Sequence, residues 1–143
     1  ETSKWKQVNL GTHYHNGKYI KGNVYNVYRG EILVFKVGKK TITKKIKKSM
    51  RKYTYKVYVG KQKAGTKIRV TLQSRFKEQI TYSTDQFYYA KYKKGMTKAQ
   101  ARNCIDYYTP DEKSYSDSGE YWWYDDGSYL YFRGGKLRSW YIY

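Results

Sequence analysis

The stretch YTYKVYVGKQKAGTKIRVTL, residues 53–72, constrains the fold more than any other part of this chain. In its first half, Tyr53, Tyr55, Val57 and Val59 fall on one side of an extended backbone and Thr54, Lys56 and Tyr58 on the other. In its second half, Ile68, Val70 and Leu72 alternate with Lys67, Arg69 and Thr71. An apolar side chain at every second position marks a strand with one face buried and one in water. Gly60 and Gly65 bracket the polar segment between the two strands and supply turn material. Further strands are expected over 19–28, 32–37 and 79–90, with Gly30 and Gly38 punctuating the first two. A strand about every ten residues points to a sandwich or barrel. No helical pattern occurs before residue 96.

Charge divides the chain. Residues 1–92 carry 22 basic and 4 acidic side chains, and residues 93–143 carry 8 and 7. The front is therefore +18 and the back +1, within a total of +19. Such a break marks a change of module. The densest cationic run is KKTITKKIKKSMRK, residues 39–52. Ile42, Ile46 and Met50 fit one face of either a helix or a strand, because a spacing of four serves both. The β-branched Thr41, Ile42, Thr43 and Ile46 favour a strand over 40–47, followed by a turn at SMRK. The plain reading is a solvated edge strand whose lysines deter sheet-to-sheet pairing. The run also suits a site for a polyanion, and less well a dedicated nucleic-acid arm. The polyanion candidates are Lys39, Lys40, Lys44, Lys45, Lys47, Lys48, Arg51, Lys52, Lys56, Lys67 and Arg69.

The back begins with KKGMTKAQARNCIDYYTP. Thr97 and Gln100 form a T-x-x-Q capping box, and Met96 precedes the cap. Ala101, Cys104, Ile105 and Tyr108 then make one apolar helical stripe, which Pro110 stops. DEKSYSDSG reads as a polar loop. Strands follow at 120–124, 128–132 and 136–143, joined by DDG and GG turns. A helix packed on a three-stranded antiparallel sheet is expected. Its aromatic residues include Tyr121, Trp123, Tyr129, Tyr131 and Trp140, anchor types common in protein interfaces.

Two resemblances accompany these patterns. Residues 19–92, through Tyr53, Lys63, Ala64, Gly65, Thr66, Ile68 and Val70, resemble the bacterial Ig-like modules of Gram-positive surface proteins. Gly95, Met96, Thr97, Gln100, Trp122, Tyr124, Tyr131, Phe132, Gly135, Lys136 and Leu137 are similar to the SmpA/OmlA lipoprotein and β-lactamase-inhibitor-like fold. The first resemblance implies a non-catalytic spacer or adhesion module. The second implies a module outside the cytoplasm that binds proteins or envelope components, in some members through a concave aromatic sheet. The expected architecture is mainly β with one α-helix: an N-terminal segment, 1–18, able to supply a first strand; an Ig-like sandwich over 19–92; and a helix-plus-sheet module over 93–143.

Chemistry is thinly represented. His13 and His15 in THYH lack a third ligand at metal spacing and read as surface histidines, so no metal or cofactor is expected. Asp125 and Asp126 are adjacent turn residues, whereas an acid/base pair needs opposed carboxylates. The single Cys, Cys104, excludes an intramolecular disulfide and reads as a core residue. No nucleophile elbow or phosphate loop is present, and no apolar run approaches the ~20 residues of a spanning helix. The chain opens on Glu1 without a start Met, which fits a secreted protein with its leader removed and equally a sequence trimmed at its start; the first is the expectation taken. The expected function is non-catalytic binding at a Gram-positive cell surface. The expected ligand is an anionic envelope polymer such as teichoic acid, an envelope protein, or both; a protein inhibitor acting through the aromatic sheet and a nucleic-acid binder are the alternatives. Lys outnumbers Arg 23 to 7, which suits diffuse attraction to a polyanion better than bidentate base reading.

Overall fold

The computed structural model describes residues 5–106 and 109–143. The chain is mainly β, with several sheets and one short helix. In order, its elements are β1 (Gln7–Leu10), β2 (His13–Tyr14), β3 (Tyr19–Val27), β4 (Ile32–Val37), β5 (Lys40–Lys45), β6 (Met50–Tyr58), β7 (Lys67–Gln73), β8 (Gln79–Tyr88), α1 (Lys98–Ala101), β9 (Glu112–Ser116), β10 (Gly119–Trp123), β11 (Tyr129–Arg133) and β12 (Lys136–Tyr141). Two compact units divide the chain, with the break between Phe87 and Tyr88. The change in charge density at residue 92 lies slightly beyond that break. Tyr89 and Tyr92 go with the second unit because both pack into its core.

In the first unit, β1, β3 and β6 form one antiparallel sheet, and a second sheet runs in the order β2-β8-β7-β4-β5. The N-terminal segment thus supplies two short strands, β1 and β2. The alternation seen in the sequence sets the burial. Tyr55, Val57, Ile20, Val24 and Val8 come from one sheet, and Leu33, Phe35, Val37, Ile68, Val70, Leu72 and Phe87 from the other. All lie in a single core with at most 5% of their surface exposed. Each fully buried aliphatic side chain contributes about 1.5–3 kcal/mol by leaving water. Tyr55 is the polar exception: its hydroxyl donates to the Asn9 carbonyl at 2.7 Å. Gly22 makes this possible, since a Cβ there would overlap both the Asn9 carbonyl oxygen and the Tyr55 hydroxyl.

The strand over 40–45 forms as β-branching suggests, with Ile46 buried beyond its end. The turn falls earlier than SMRK. Met50 already pairs with Val27 and Lys52 with Tyr25, so residues 50–52 belong to β6. The cause is the pairing itself: β3 is long enough to extend the ladder past Tyr53, and this satisfies backbone groups that a turn would leave bare.

The second unit corrects two expectations. Its sheet has four strands, ordered β12-β11-β10-β9. The extra strand is EKSYS, which pairs from Ser116↔Gly119 to Glu112↔Trp123. As an edge strand with mostly exposed side chains, it has no apolar alternation to reveal it. The helix is the other correction. Its capping box forms as the spacing requires, with the Gln100 N–H donating to Thr97 Oγ1 at 3.1 Å and the Thr97 N–H to Gln100 Oε1 at 3.0 Å. It nevertheless ends at Ala101. The backbone beyond it is taken by Tyr89, whose N–H donates to the Asn103 carbonyl at 2.7 Å and whose carbonyl accepts from the Ile105 N–H at 2.9 Å. Those bonds use the groups a continuing helix would need. Ala101 and Cys104 still point into the core as the stripe implies, with Met96, Trp122, Leu130, Phe132 and Leu137. Tyr108 lies outside the described residues.

Candidate binding surfaces

Two surfaces concentrate unusual chemistry, one in each unit. The first surrounds the link between β5 and β6. Each of these strands is the last in its sheet, so the densest cationic run occupies two free edges and the turn between them. Backbone bonds hold the turn against its neighbours: Gly30 N–H donates to the Ile46 carbonyl at 2.9 Å and Ile46 N–H to the Glu31 carbonyl at 2.8 Å. Arg29 is pinned as well, its N–H donating to Ser49 Oγ at 2.8 Å. A second turn, between β7 and β8, is organised by Ser74, whose hydroxyl accepts from the Phe76 and Glu78 N–H groups at 3.1 and 3.2 Å.

These turns shape two open depressions that share Lys45, Ile46 and Lys47. One, about 890 Å³, is lined by Arg29, Gly30, Ile32, Thr43, Lys45, Ile46, Lys47, Arg75 and Lys77. The other, about 380 Å³, is lined by Lys44, Lys45, Ile46, Lys47, Lys48, Met50 and Tyr53. Neither lining includes a carboxylate. Glu31, next to Gly30 in sequence, is turned away into an ion pair with Lys6 at 3.0 Å.

Of the polyanion candidates, the structure gathers Lys44, Lys45, Lys47 and Lys48 here and distributes the rest. Lys39 sits in the turn before β5, where it is exposed. Lys40 donates to the Val59 carbonyl at 2.8 Å. Arg51 lines a separate depression with Trp5, Asn26 and Met50. Lys52 and Lys56 lie over the rings of Tyr25 and Tyr19, at 5.9 and 4.6 Å. Lys67 donates to Gln86 at 2.6 Å, and Arg69 to Gln79 at 3.1 Å while covering the Tyr82 ring at 3.9 Å. Arg29, Arg75 and Lys77 were not singled out by sequence, although each lies in or beside a turn residue cluster (Gly30, Ser74) that ends a strand.

The second surface is the outward side of the four-stranded sheet. Cross-strand pairing sets Tyr121 beside Tyr131 and Trp123 beside Tyr129, and Tyr129 beside Tyr141. Their rings touch one another. Centroids are 4.5 Å apart for Tyr121–Tyr131, 5.2 Å for Tyr121–Trp123, 5.5 Å for Trp123–Tyr129 and 6.5 Å for Tyr129–Tyr141. Ser114 and Ser139 flank the rings in register, and Trp123 Nε1 donates to Ser114 Oγ at 3.0 Å. Four of the five expected contact residues are thereby brought together.

Trp140 is not among them. The β11–β12 ladder shifts register between Tyr131 and Phe132, and such a bulge inserts a residue and reverses the alternation beyond it. Trp140 consequently pairs with buried Leu130 and meets Tyr92 at 6.2 Å on the opposite side. Tyr141 takes the outward place, and Tyr143 extends the row, 5.9 Å from Tyr141. The bulge is the signal that period-two counting misses.

The inward side of this sheet holds a buried acid, with Lys113 over the Trp122 ring at 5.0 Å. Glu120 is 8% exposed, pairs with Lys98 and accepts from Trp122 Nε1. Burial works against its ionisation, but the hydrogen bonds from Lys98 and Trp122 and the charges of Lys98 and Lys113 outweigh it and hold the carboxyl below its ordinary range. The histidines have backbone duties, and His13 corrects the surface reading, because it is buried where Nε2 can accept a strand N–H. His13 Nε2 accepts from the Lys21 N–H at 2.9 Å and His15 Nδ1 from the Ala64 N–H at 2.9 Å. Among the described residues no group of three or more His, Cys, Asp or Glu could hold a metal ion. Cys104 is buried and its thiol is pushed up to about 11, by desolvation first and by Asp106 second. That is the behaviour of a core residue, not a nucleophile. No family model, curated protein or solved structure matches the chain.

Proposed function

We propose that the chain is a non-catalytic binding protein whose first unit holds an anionic polymer, with a Gram-positive envelope polyanion of the teichoic-acid kind as ligand and the cell surface as its place of action. The observation that carries this reading is the pair of depressions flanking Lys45–Lys47, which converge Arg29, Lys44, Lys45, Lys47, Lys48, Arg75 and Lys77 without a carboxylate in either lining. Packing like charges together costs folding energy that an intramolecular acid would ordinarily relieve. Neither lining supplies such an acid, which favours an anion from outside the chain. The reading of the first unit as an Ig-like module is supported by two antiparallel sheets around one core.

Lysine dominance favours a flexible, repeating polyanion over sequence reading of bases. The only ring in either lining is Tyr53, whereas single-stranded nucleic acid is ordinarily gripped by several stacked aromatics beside its cationic groove.

The experiment compares teichoic acid, single-stranded DNA and duplex DNA at equal salt. Teichoic acid is expected to bind tightest, with affinity falling steeply as salt rises. Reversing two charges, Lys45→Glu with Lys47→Glu, is expected to weaken it roughly tenfold or more, about 1.4 kcal/mol, without loss of folding. Equal or tighter binding to either DNA would overturn the envelope reading.

A further inference from the structure

We propose that the outward side of the β9–β12 sheet is a platform for an uncharged polysaccharide. The inference is independent of the first unit's ligand. It begins with what the surface lacks. In a chain of net charge +19, the central positions of this side, Ser114, Tyr121, Tyr131, Ser139, Trp123, Tyr129 and Tyr141, are all uncharged. In register with these positions, Glu112 stands beside Trp123 at one end, and Arg133 stands beside Lys136 at the other, with exposed Arg138 at the β11–β12 bulge. At the row of Trp123, Tyr129 and Tyr141 the charged ladder partner is Glu112, so a nucleic acid lying along that row would bring its phosphates to an acid and not to a cation.

The shape of the surface points the same way. Trp123, Tyr129 and Tyr141 come from three adjacent strands and form a continuous row, with centroids 5.5 and 6.5 Å apart. A row suits a chain-like ligand whose repeating units lie side by side. The rings lean on one another, so much of their apolar area is already covered. What faces water is a mixture of ring surface and polar tips. Pyranose rings have this dual character: an apolar C–H face that stacks on an aromatic ring, and a rim of hydroxyls that pairs with serine and tyrosine hydroxyls. A protein hot spot, by contrast, is an anchor driven into a dry pocket. Two rings are also locked before any ligand arrives, Trp123 through Ser114 and Tyr131 through the Ser118 carbonyl at 2.9 Å. Such preorganisation reduces the entropy lost on binding.

The test titrates the full chain with cellohexaose, chitohexaose and xylohexaose at about 0.5 M salt, where attraction between exposed charges is screened within a few ångströms. Binding is followed by calorimetry and by amide shifts of β10–β12. At least one hexasaccharide is expected to bind saturably. Trp123→Ala and Tyr141→Ala should each weaken it about tenfold, the loss of one stacked ring. Tyr115→Ala should leave it unchanged, because Tyr115 is 72% exposed but pairs with inward Glu120. Tyr141 is 52% exposed at the end of its strand, so that variant keeps the sheet intact if Trp123→Ala does not. Three outcomes would overturn the proposal: no shift with any hexasaccharide, binding undiminished in both variants, or an oligothymidylate that binds the same residues at this salt. None of these bears on salt-sensitive polyanion binding, which is measured separately.

Discussion

The two units obey one rule, antiparallel alternation, and use the outward positions in opposite ways. In the first unit the outward positions carry cations, several resting on tyrosine rings: Lys56 over Tyr19, Lys52 over Tyr25 and Arg69 over Tyr82. In the second, outward rings rest on other rings, and the important cation, Lys98, serves inward Glu120. Each unit keeps an ion pair against its fold, Lys6–Glu31 in the first and Lys98–Glu120 in the second; the units differ in that the first displays charge and the second displays aromatic groups. The core physics is shared, so the outward positions are free to differ.

The sharpest way to break the first half of the comparison is Gly22→Ala. A Cβ at this position meets a backbone carbonyl and the Tyr55 hydroxyl, and Tyr55 is among the largest fully buried side chains. The expected cost is about 3 kcal/mol or more. Amide exchange should show faster opening at Val24 and Val57. The second unit, in which Trp122 is buried, should keep its tryptophan fluorescence. Loss of both signals together would mean that the two units do not unfold separately.

The second unit is tested by Glu120→Gln. The amide leaves Lys98 without its anion and weakens the bond from Trp122, for an expected loss of about 2 kcal/mol. The fluorescence midpoint of urea unfolding should fall while amide exchange at Val24 and Val57 stays put. Acid should imitate the substitution. The folded carboxyl lies below its ordinary value of 4.5, so its stabilisation is complete above that value and lost as pH falls through the lower folded one.

The comparison also explains how much could be read from the residues alone. Strands β3, β4, β6 and β7 were legible because each buries one side, and burial writes itself as alternation; β5, exposed along its length, was legible only through its β-branched residues. Strand β9 was not, because an edge strand wet on both sides leaves no such trace. The capping box was legible at Thr97 and Gln100, yet helix length was not, because the competitor for residues 103–105 is Tyr89, distant in sequence. The cationic site was half visible: the 44–48 run announces itself, whereas Arg29, Arg75 and Lys77 join it only through turns brought together in space. Trp140 was misplaced by a single bulge, since one inserted residue reverses every later side chain.

The mildest test separates the units by pH. His13 lies in the first unit, 4% exposed, with Nε2 accepting the Lys21 N–H. Burial lowers its pKa below the ordinary 6.5, and Lys21 adds to this; Asp85 and the Gly11 backbone pull the other way without prevailing. The fold therefore prefers neutral imidazole, while the unfolded chain takes up a proton near pH 6.5. The sign follows: stability is complete above about pH 6.5 and declines as pH falls toward the folded value. This window lies above the one in which Glu120 loses its charge. An acid titration followed by amide exchange should accordingly loosen β2 and β3 while tryptophan fluorescence still reports an intact second unit. His13→Gln, which keeps an acceptor but cannot titrate, should remove the first step and leave the second in place. A first step that persists in this variant would show that another group carries the acid sensitivity of the first unit.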